Sequence, residues 1–316
     1  MVLAAFVWNC KGIPTDAPDV VPQGTEWVRR TSGTTASLNA VIWTRSQFVA
    51  VGSEGTILTS PDGIVWTSRT SGTFQALNTV IWTGSMFVAA GGGGTILTSP
   101  DGVTWTEHSS GTSAILNSLA WTGQQLVVVG WDGFIATSPE GVTWTERLPV
   151  LGRKDSVNGG RDGWLGGDDL YSVVWIGPSA GSGTGKLVAV GYYGGVLTST
   201  DGVVWKEQTS GTTHSLSSVV WNGHQLVAVG NNGDVLTSPD GVTWIQHQRV
   251  TAVLYSVIWS GTRFVTVGHD GAVWTSSDGS DWTDHTIASH PVLYSVAWTG
   301  SQLVAVGYDG VILTAP

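Results

Sequence analysis

From Thr25 to Pro316 the chain alternates short runs of Val, Ile, Leu, Thr and Trp with breaks built on glycine, and nowhere do its apolar positions fall at helical spacing. Aligned on itself, this stretch resolves into one repeating unit that reads LxxVxW, FVAVG, GxILTS and PDGxxW in turn. The first tryptophan of the unit falls at Trp43, Trp82, Trp121, Trp175, Trp221, Trp259 and Trp298, with spacings of 39, 39, 54, 46, 38 and 39 residues. The second falls at Trp66, Trp105, Trp144, Trp205, Trp244 and Trp282, so the seventh copy, which stops at ILTAP, lacks it. The missing piece lies at the other end of the chain, where Thr25–Thr34 reads TEWVRRTSGT and Trp27 fits the position.

Four strands per unit and seven units predict an all-β fold, a seven-bladed β-propeller of four-stranded blades whose last blade is closed by the N-terminal strand. An open solenoid would not need its first strand to complete its last repeat, and closure removes the edges an open ring would expose. Residues 1–24 then form an N-terminal extension, and 25–316 a single domain with insertions at 151–169 and 178–186.

The SPDG segments join the third strand of a blade to the outermost one. Pro suits the second position of a type I turn, Asp the third, and Gly the left-handed residue that follows. The pattern S-P-D-G-x-x-W resembles the Asp-box of sialidase-type (BNR) repeat propellers, one residue shorter than the usual S-x-D-x-G-x-x-W. The organisation from Thr25 to Pro316 is also similar to that of photosystem II assembly-factor propellers. In Asp-box families these turns sit on the rim away from the catalytic centre. The resemblance therefore implies that Asp62, Asp101, Asp201, Asp240 and Asp278 are scaffold.

Charge narrows the partners. Lys and Arg number 13 against 23 Asp and Glu, a net charge of -10, and no basic cluster appears that would hold a nucleic acid. Charged residues make up only 11% of the chain, against roughly 25% in an average soluble domain, which favours an extracytoplasmic setting. No apolar run reaches membrane-spanning length. The single cysteine, Cys10, cannot form an internal disulfide.

Information about function should lie where the copies disagree. The loops between second and third strands read Ser53-Glu54, Gly92-Gly93, Trp131-Asp132, Tyr192-Tyr193, Asn231-Asn232, His269-Asp270 and Tyr308-Asp309. The residue after the inner-strand Leu, facing the central channel, is Asn39, Asn78, Asn117, Tyr171, Ser217, Tyr255 or Tyr294. All six tyrosines fall at these two positions, on one predicted face, joined there by Trp131 and by Trp164 of the first insertion. Rings beside the carboxylates of Asp132, Asp270 and Asp309, with His269, suit stacking on a sugar or gripping a peptide.

Catalytic patterns are sparse. Arg29, Arg30, Arg69, Arg147 and Arg249 are expected on outer strands and Arg45 and Arg263 in turns of the other face, so no arginine cluster forms to hold a sialidase substrate. Asp132, Asp168, Asp169, Asp270 and Asp309 could supply a glycosidase carboxylate pair. No cofactor fingerprint or metal-ligand spacing appears; Asp155, Asn158 and Asp162 match no calcium loop. The sequence favours a non-catalytic propeller binding a carbohydrate or protein partner through blades 3–4 and 6–7. A polysaccharide hydrolase and a scaffolding or assembly factor are the alternatives.

Overall fold

The computed structural model describes residues 26–147, 169–178 and 185–316. They form seven four-stranded antiparallel sheets arranged as the blades of a propeller. In blade 1 the strands are Leu38–Trp43, Phe48–Gly52, Ile57–Ser60 and Thr67–Arg69, running from the inner strand outward. Blade 7 takes its three inner strands from Leu293–Trp298, Leu303–Gly307 and Ile312–Ala315. Its outer strand is Val28–Arg30, with Val28 opposite Thr314, Arg29 opposite Leu313 and Arg30 opposite Ile312. The predicted closure is the one observed.

A blade has no core of its own. The second strand of each blade is buried on both faces, as in Phe48–Gly52, because a neighbouring blade covers each side. Val304, Val306 and Ile312 of blade 7 thus form one cluster with Leu38, Phe48 and Leu58 of blade 1, closed by Trp43 and Trp66. Nearer the axis, buried serine hydroxyls stitch inner strands together. Ser118 Oγ accepts from the Val173 amide at 3.1 Å, Ser172 from Val219 at 3.2 Å, Ser218 from Val257 at 3.2 Å and Ser295 from Val41 at 3.0 Å.

The SPDG turn explains its own spacing. Ser60 Oγ accepts from the Gly63 amide at 2.8 Å, while Asp62 Oδ1 accepts from Ile64 and Val65 at 2.8 and 3.0 Å. The Trp66 indole N–H then donates to the Gly63 carbonyl at 3.0 Å, which fixes the distance from Gly to Trp. Gly63 has φ +75°, so the turn needs its missing Cβ. The turns also join blades: Gln47 Nε2 donates to the Asp101 carbonyl at 2.9 Å, and Lys186 Nζ to that of Asp240 at 2.8 Å. They lie at the ends of the blades opposite the loops that carry the tyrosines.

These carboxyls make the fold acid-sensitive. At Asp278 burial opposes the charge, but the amides of Ser280 and Asp281 and the hydroxyls of Ser280 and Ser276 outweigh it and hold the group at about 2, against an ordinary 3.8. Asp62 and Asp101 are lowered mainly by the amides of Val65 and Thr104 respectively. A carboxyl held below its unfolded value stabilises the fold above that value, and this contribution is lost as pH falls through the folded value. Unfolding measured against pH is therefore expected to show stability falling from about 3.8 down to about 2. Asp278→Asn should flatten that slope, and an unchanged slope would remove Asp278 from the account.

Candidate binding face

Every blade makes the same two devices at the end opposite the SPDG turns. The first is a β-bulge in the inner strand. In blade 1 Leu38 pairs with Gly52 and Ala40 with Val51, so Asn39 is left out of the ladder. The register slips in the same way at Asn78, Asn117, Tyr171, Ser217, Tyr255 and Tyr294. A bulge re-aims a side chain, which is why this one position differs so freely between copies. The second device is a single 3-10 turn at the tip, such as Ser53–Gly55, folded back so that the Ser53 amide donates to the Ser37 carbonyl. A Cβ on Gly52 would stand 2.0 Å from that carbonyl oxygen, so the residue ahead of the tip must be glycine.

The bulge positions divide the channel wall in two. On blades 1–3 the asparagines spend their amides on the neighbouring blade: Asn39 Nδ2 donates to the Leu77 carbonyl at 3.0 Å, Asn78 to Leu116 at 3.1 Å and Asn117 to Leu170 at 2.8 Å. On blades 6 and 7 the rings of Tyr255 and Tyr294 meet, with centroids 5.5 Å apart and planes tilted 57°. Burial, then Tyr294 beside it, push the Tyr255 phenol above its ordinary value; burial and Tyr308 do the same to Tyr294. Tyr255 and Tyr294 thus form one group, with Tyr308 on the tip of the same blade as Tyr294.

The tips carry the exposed rings. Trp131, Tyr192, Tyr193 and Tyr308 are all about half exposed, and Tyr192 lies 5.9 Å from Tyr193, centroid to centroid. Around Trp131 the Asp169 carboxylate ties two blades together, accepting from the Asp132 amide at 3.2 Å and from the Tyr171 hydroxyl at 3.4 Å. Asp169 is therefore a positioning group, one of the carboxylates the sequence offered for catalysis. Trp164 lies outside the described residues, as does Asp168.

A conformational reason accounts for much of the acid at the tips. The second tip residue has positive φ in every blade: Glu54, Gly93, Asp132, Tyr193, Asn232, Asp270 and Asp309. Gly, Asn and Asp tolerate this left-handed conformation. Asp132, Asp270 and Asp309 are thus explained by backbone before any chemistry is invoked. Tyr193, at φ +53°, is not: a bulky residue there is strained, and strain of this kind gathers at ligand sites.

Three features escaped the sequence. Phe74, on the loop from blade 1 to blade 2, is 94% exposed on this same face, so aromatic surface is not confined to blades 3, 4, 6 and 7. His290 Nδ1 stands 3.2 Å from Asp270 Oδ1. The third corrects the expected place of Arg249. The outer strand of blade 5 ends at Gln246, and Arg249 belongs to the following loop on the tyrosine-bearing face. There Arg249 Nε lies 2.6 Å from Oδ1 of the fully buried Asp234, whose Oδ2 accepts from Thr212 at 2.5 Å and faces His214 Nδ1 at 3.1 Å. Among the described residues no three acidic, histidine or cysteine side chains gather as a metal-ligand set.

No protein-family model matches the chain, and no curated protein matches it. Solved structures do. YCF48 from Cyanidioschyzon merolae is 17% identical with a TM-score of 0.68, over 92% of this chain and 98% of that one. YCF48 bound to D1 peptide is 18% identical with a TM-score of 0.69, over 92% and 96% of the two chains. The WD40 β-propeller domain of Doa1 is 13% identical with a TM-score of 0.71, over 92% and 97%. The likeness is one of fold.

Proposed function

We infer that the chain is a non-catalytic propeller that holds a protein partner on the face carrying its tyrosines, chiefly through blades 3–4 and 6–7. One observation carries the reading: every exposed large aromatic among the described residues, Phe74, Trp131, Tyr192, Tyr193 and Tyr308, belongs to this face. Rings of this kind, rigid and amphipathic, are what binding hot spots are made of. The strained backbone of Tyr193 supports it, because a ring held there at a conformational cost serves something other than packing. A YCF48 propeller bound to D1 peptide supports the capacity of this architecture to hold a peptide. The hydrogen bonds of the SPDG turn support its reading as a shortened Asp-box with a scaffold role.

A photo-crosslinking residue at Tyr193 or Tyr308 is expected to trap the partner, and one at Gln124 or His224 in turns of the other face is not. With that partner purified, Trp131→Ala, Tyr193→Ala and Tyr308→Ala should each weaken binding by about 1–3 kcal/mol. Cross-links formed only from Gln124 and His224 would put the partner on the wrong face for this reading. Binding on a glycan array, lost in the same three variants, would replace the protein partner with a carbohydrate.

A further inference from the structure

Blades 6 and 7 are the one adjacent pair, among the described residues, in which both bulge positions carry a ring. Trp131, Tyr192, Tyr193 and Tyr308 stand at tips, whereas Tyr255 and Tyr294 come from bulges of adjacent inner strands and so sit at the mouth of the channel. Their rings are tilted rather than stacked, which leaves ring faces for a third group. On the blade 5 side the bulge residue is Ser217, too short to fill the place of a ring. The tip next to Tyr294 carries Asp270, whose Oδ1 has His290 Nδ1 at 3.2 Å and whose other oxygen is left for a cation, and the tip of its own blade, which packs toward blade 1, carries Asp309; both carboxylates are exposed. The phenols of Tyr255 and Tyr294 are raised above their ordinary 10.0 by burial and then by Tyr294 and Tyr308 respectively, so both rings present neutral hydroxyls.

We propose that Tyr255, Tyr294 and Tyr308, with the carboxylates of Asp270 and Asp309, form a subsite for a lysine or arginine side chain projected by a basic segment of the partner. The proposal rests on the reading of this face as a partner surface, and it names the partner's chemistry. A cation within about 6 Å of a ring centroid is attracted by the ring's negative face, and the attraction grows as water leaves. Tyr255 and Tyr294 are partly buried, so such a cation would be partly desolvated between them. The charge of the face points the same way. Glu54, Asp132, Asp270 and Asp309 occupy four of the seven tips, and Arg249, the arginine of the blade 5–6 loop, is already engaged by Asp234. The molecule as a whole carries -10, so an approaching basic segment is steered toward it rather than away.

Fluorescence anisotropy with labelled octalysine and octaglutamate tests this on the full chain. Octalysine is expected to bind and octaglutamate not. Replacing both rings, Tyr255→Leu with Tyr294→Leu, should weaken octalysine about tenfold, the scale of two partly desolvated cation–π contacts. The ring-preserving pair Tyr255→Phe with Tyr294→Phe should leave it within about twofold, because the ring face and not the hydroxyl attracts the cation. Asp309→Asn, which keeps a residue suited to the left-handed tip, should weaken binding several-fold at low salt. Circular dichroism confirms that each variant is folded. Equal binding by the wild-type and Leu variants would overturn the subsite, as would no binding of octalysine at all. Either result leaves the partner surface itself standing if Trp131→Ala and Tyr193→Ala still weaken the cross-linked partner. Loss of that dependence sinks the wider reading instead.

Discussion

A chain lacking everything through Thr34 is expected to aggregate, or to melt far below the intact protein. The deletion takes the outer strand from blade 7 and with it the pairing of Val28, Arg29 and Arg30 to Thr314, Leu313 and Ile312. Arg30 Nε also loses its bond to Thr314 Oγ1 at 2.9 Å. What remains is an apolar strand, Ile312–Ala315, with a row of unpaired amides and carbonyls at the edge of its sheet. Trp27 packs against the cluster between blades 6 and 7, to which Val311, Leu313 and Ala315 belong, and its removal uncovers that cluster. Truncating a large aromatic from a core costs about 3–5 kcal/mol. Trp27 is only partly buried, so its own share belongs at the low end, with the broken strand pairing added to it. Thermal melting by circular dichroism and light scattering on the deletion reads the effect. A monomer that melts like the full chain would mean that closure contributes nothing.

The fold was legible because each repeat states it independently. The two tryptophans, the buried second strand and the SPDG turn each answer a local requirement, and a requirement met seven times, or six for the turn and its variants, is visible without an alignment. The faces were legible for the same reason: strand alternation decides which loops share an end of a blade, and the tyrosines followed. What the sequence concealed depends on contacts between copies. Asp234 stands where other blades have Thr56, Thr95, Phe134, Gly195, Ala272 and Val311, and that difference was the available signal. Its partners come from the loops on either side of blade 5, and nothing in a run of letters brings them to one carboxylate. Arg249 is expected on an outer strand, yet the blade 5 outer strand is only Ile245–Gln246. The acidic tips answer a conformational requirement as well. Asp beside an aromatic suggests a site, but the left-handed backbone at Asp132, Asp270 and Asp309 selects Asp on conformational grounds alone. The rings therefore carry more of the functional argument than the carboxylates do, and Tyr193, which the backbone does not favour, carries more than most.

Arg249→Met is expected to destabilise the protein by about 3 kcal/mol, because it strands a buried charge. Asp234 is fully buried, and Arg249 holds its Oδ1 at 2.6 Å while Thr212 and His214 hold Oδ2. Methionine keeps much of the arginine stem's bulk but leaves Oδ1 without its counter-charge. Breaking a buried pair from one side costs about 3–5 kcal/mol, and the low end applies here because the Arg249 side chain is 44% exposed and water can take its place. Removing the charge as well should restore the fold. Threonine occupies the same place in blades 1 and 2, as Thr56 and Thr95, so the double variant Arg249→Met with Asp234→Thr gives blade 5 a residue its neighbours already use. Urea unfolding is expected to place the double variant within about 1 kcal/mol of the wild type, since replacing both members of a buried pair is often neutral. The two loops that meet at Asp234 flank the tip of blade 5, between the aromatic groups of blades 3–4 and 6–7. A single variant that unfolds within about 0.5 kcal/mol of the wild type, the range of an ordinary surface change, would show that Asp234 needs no arginine.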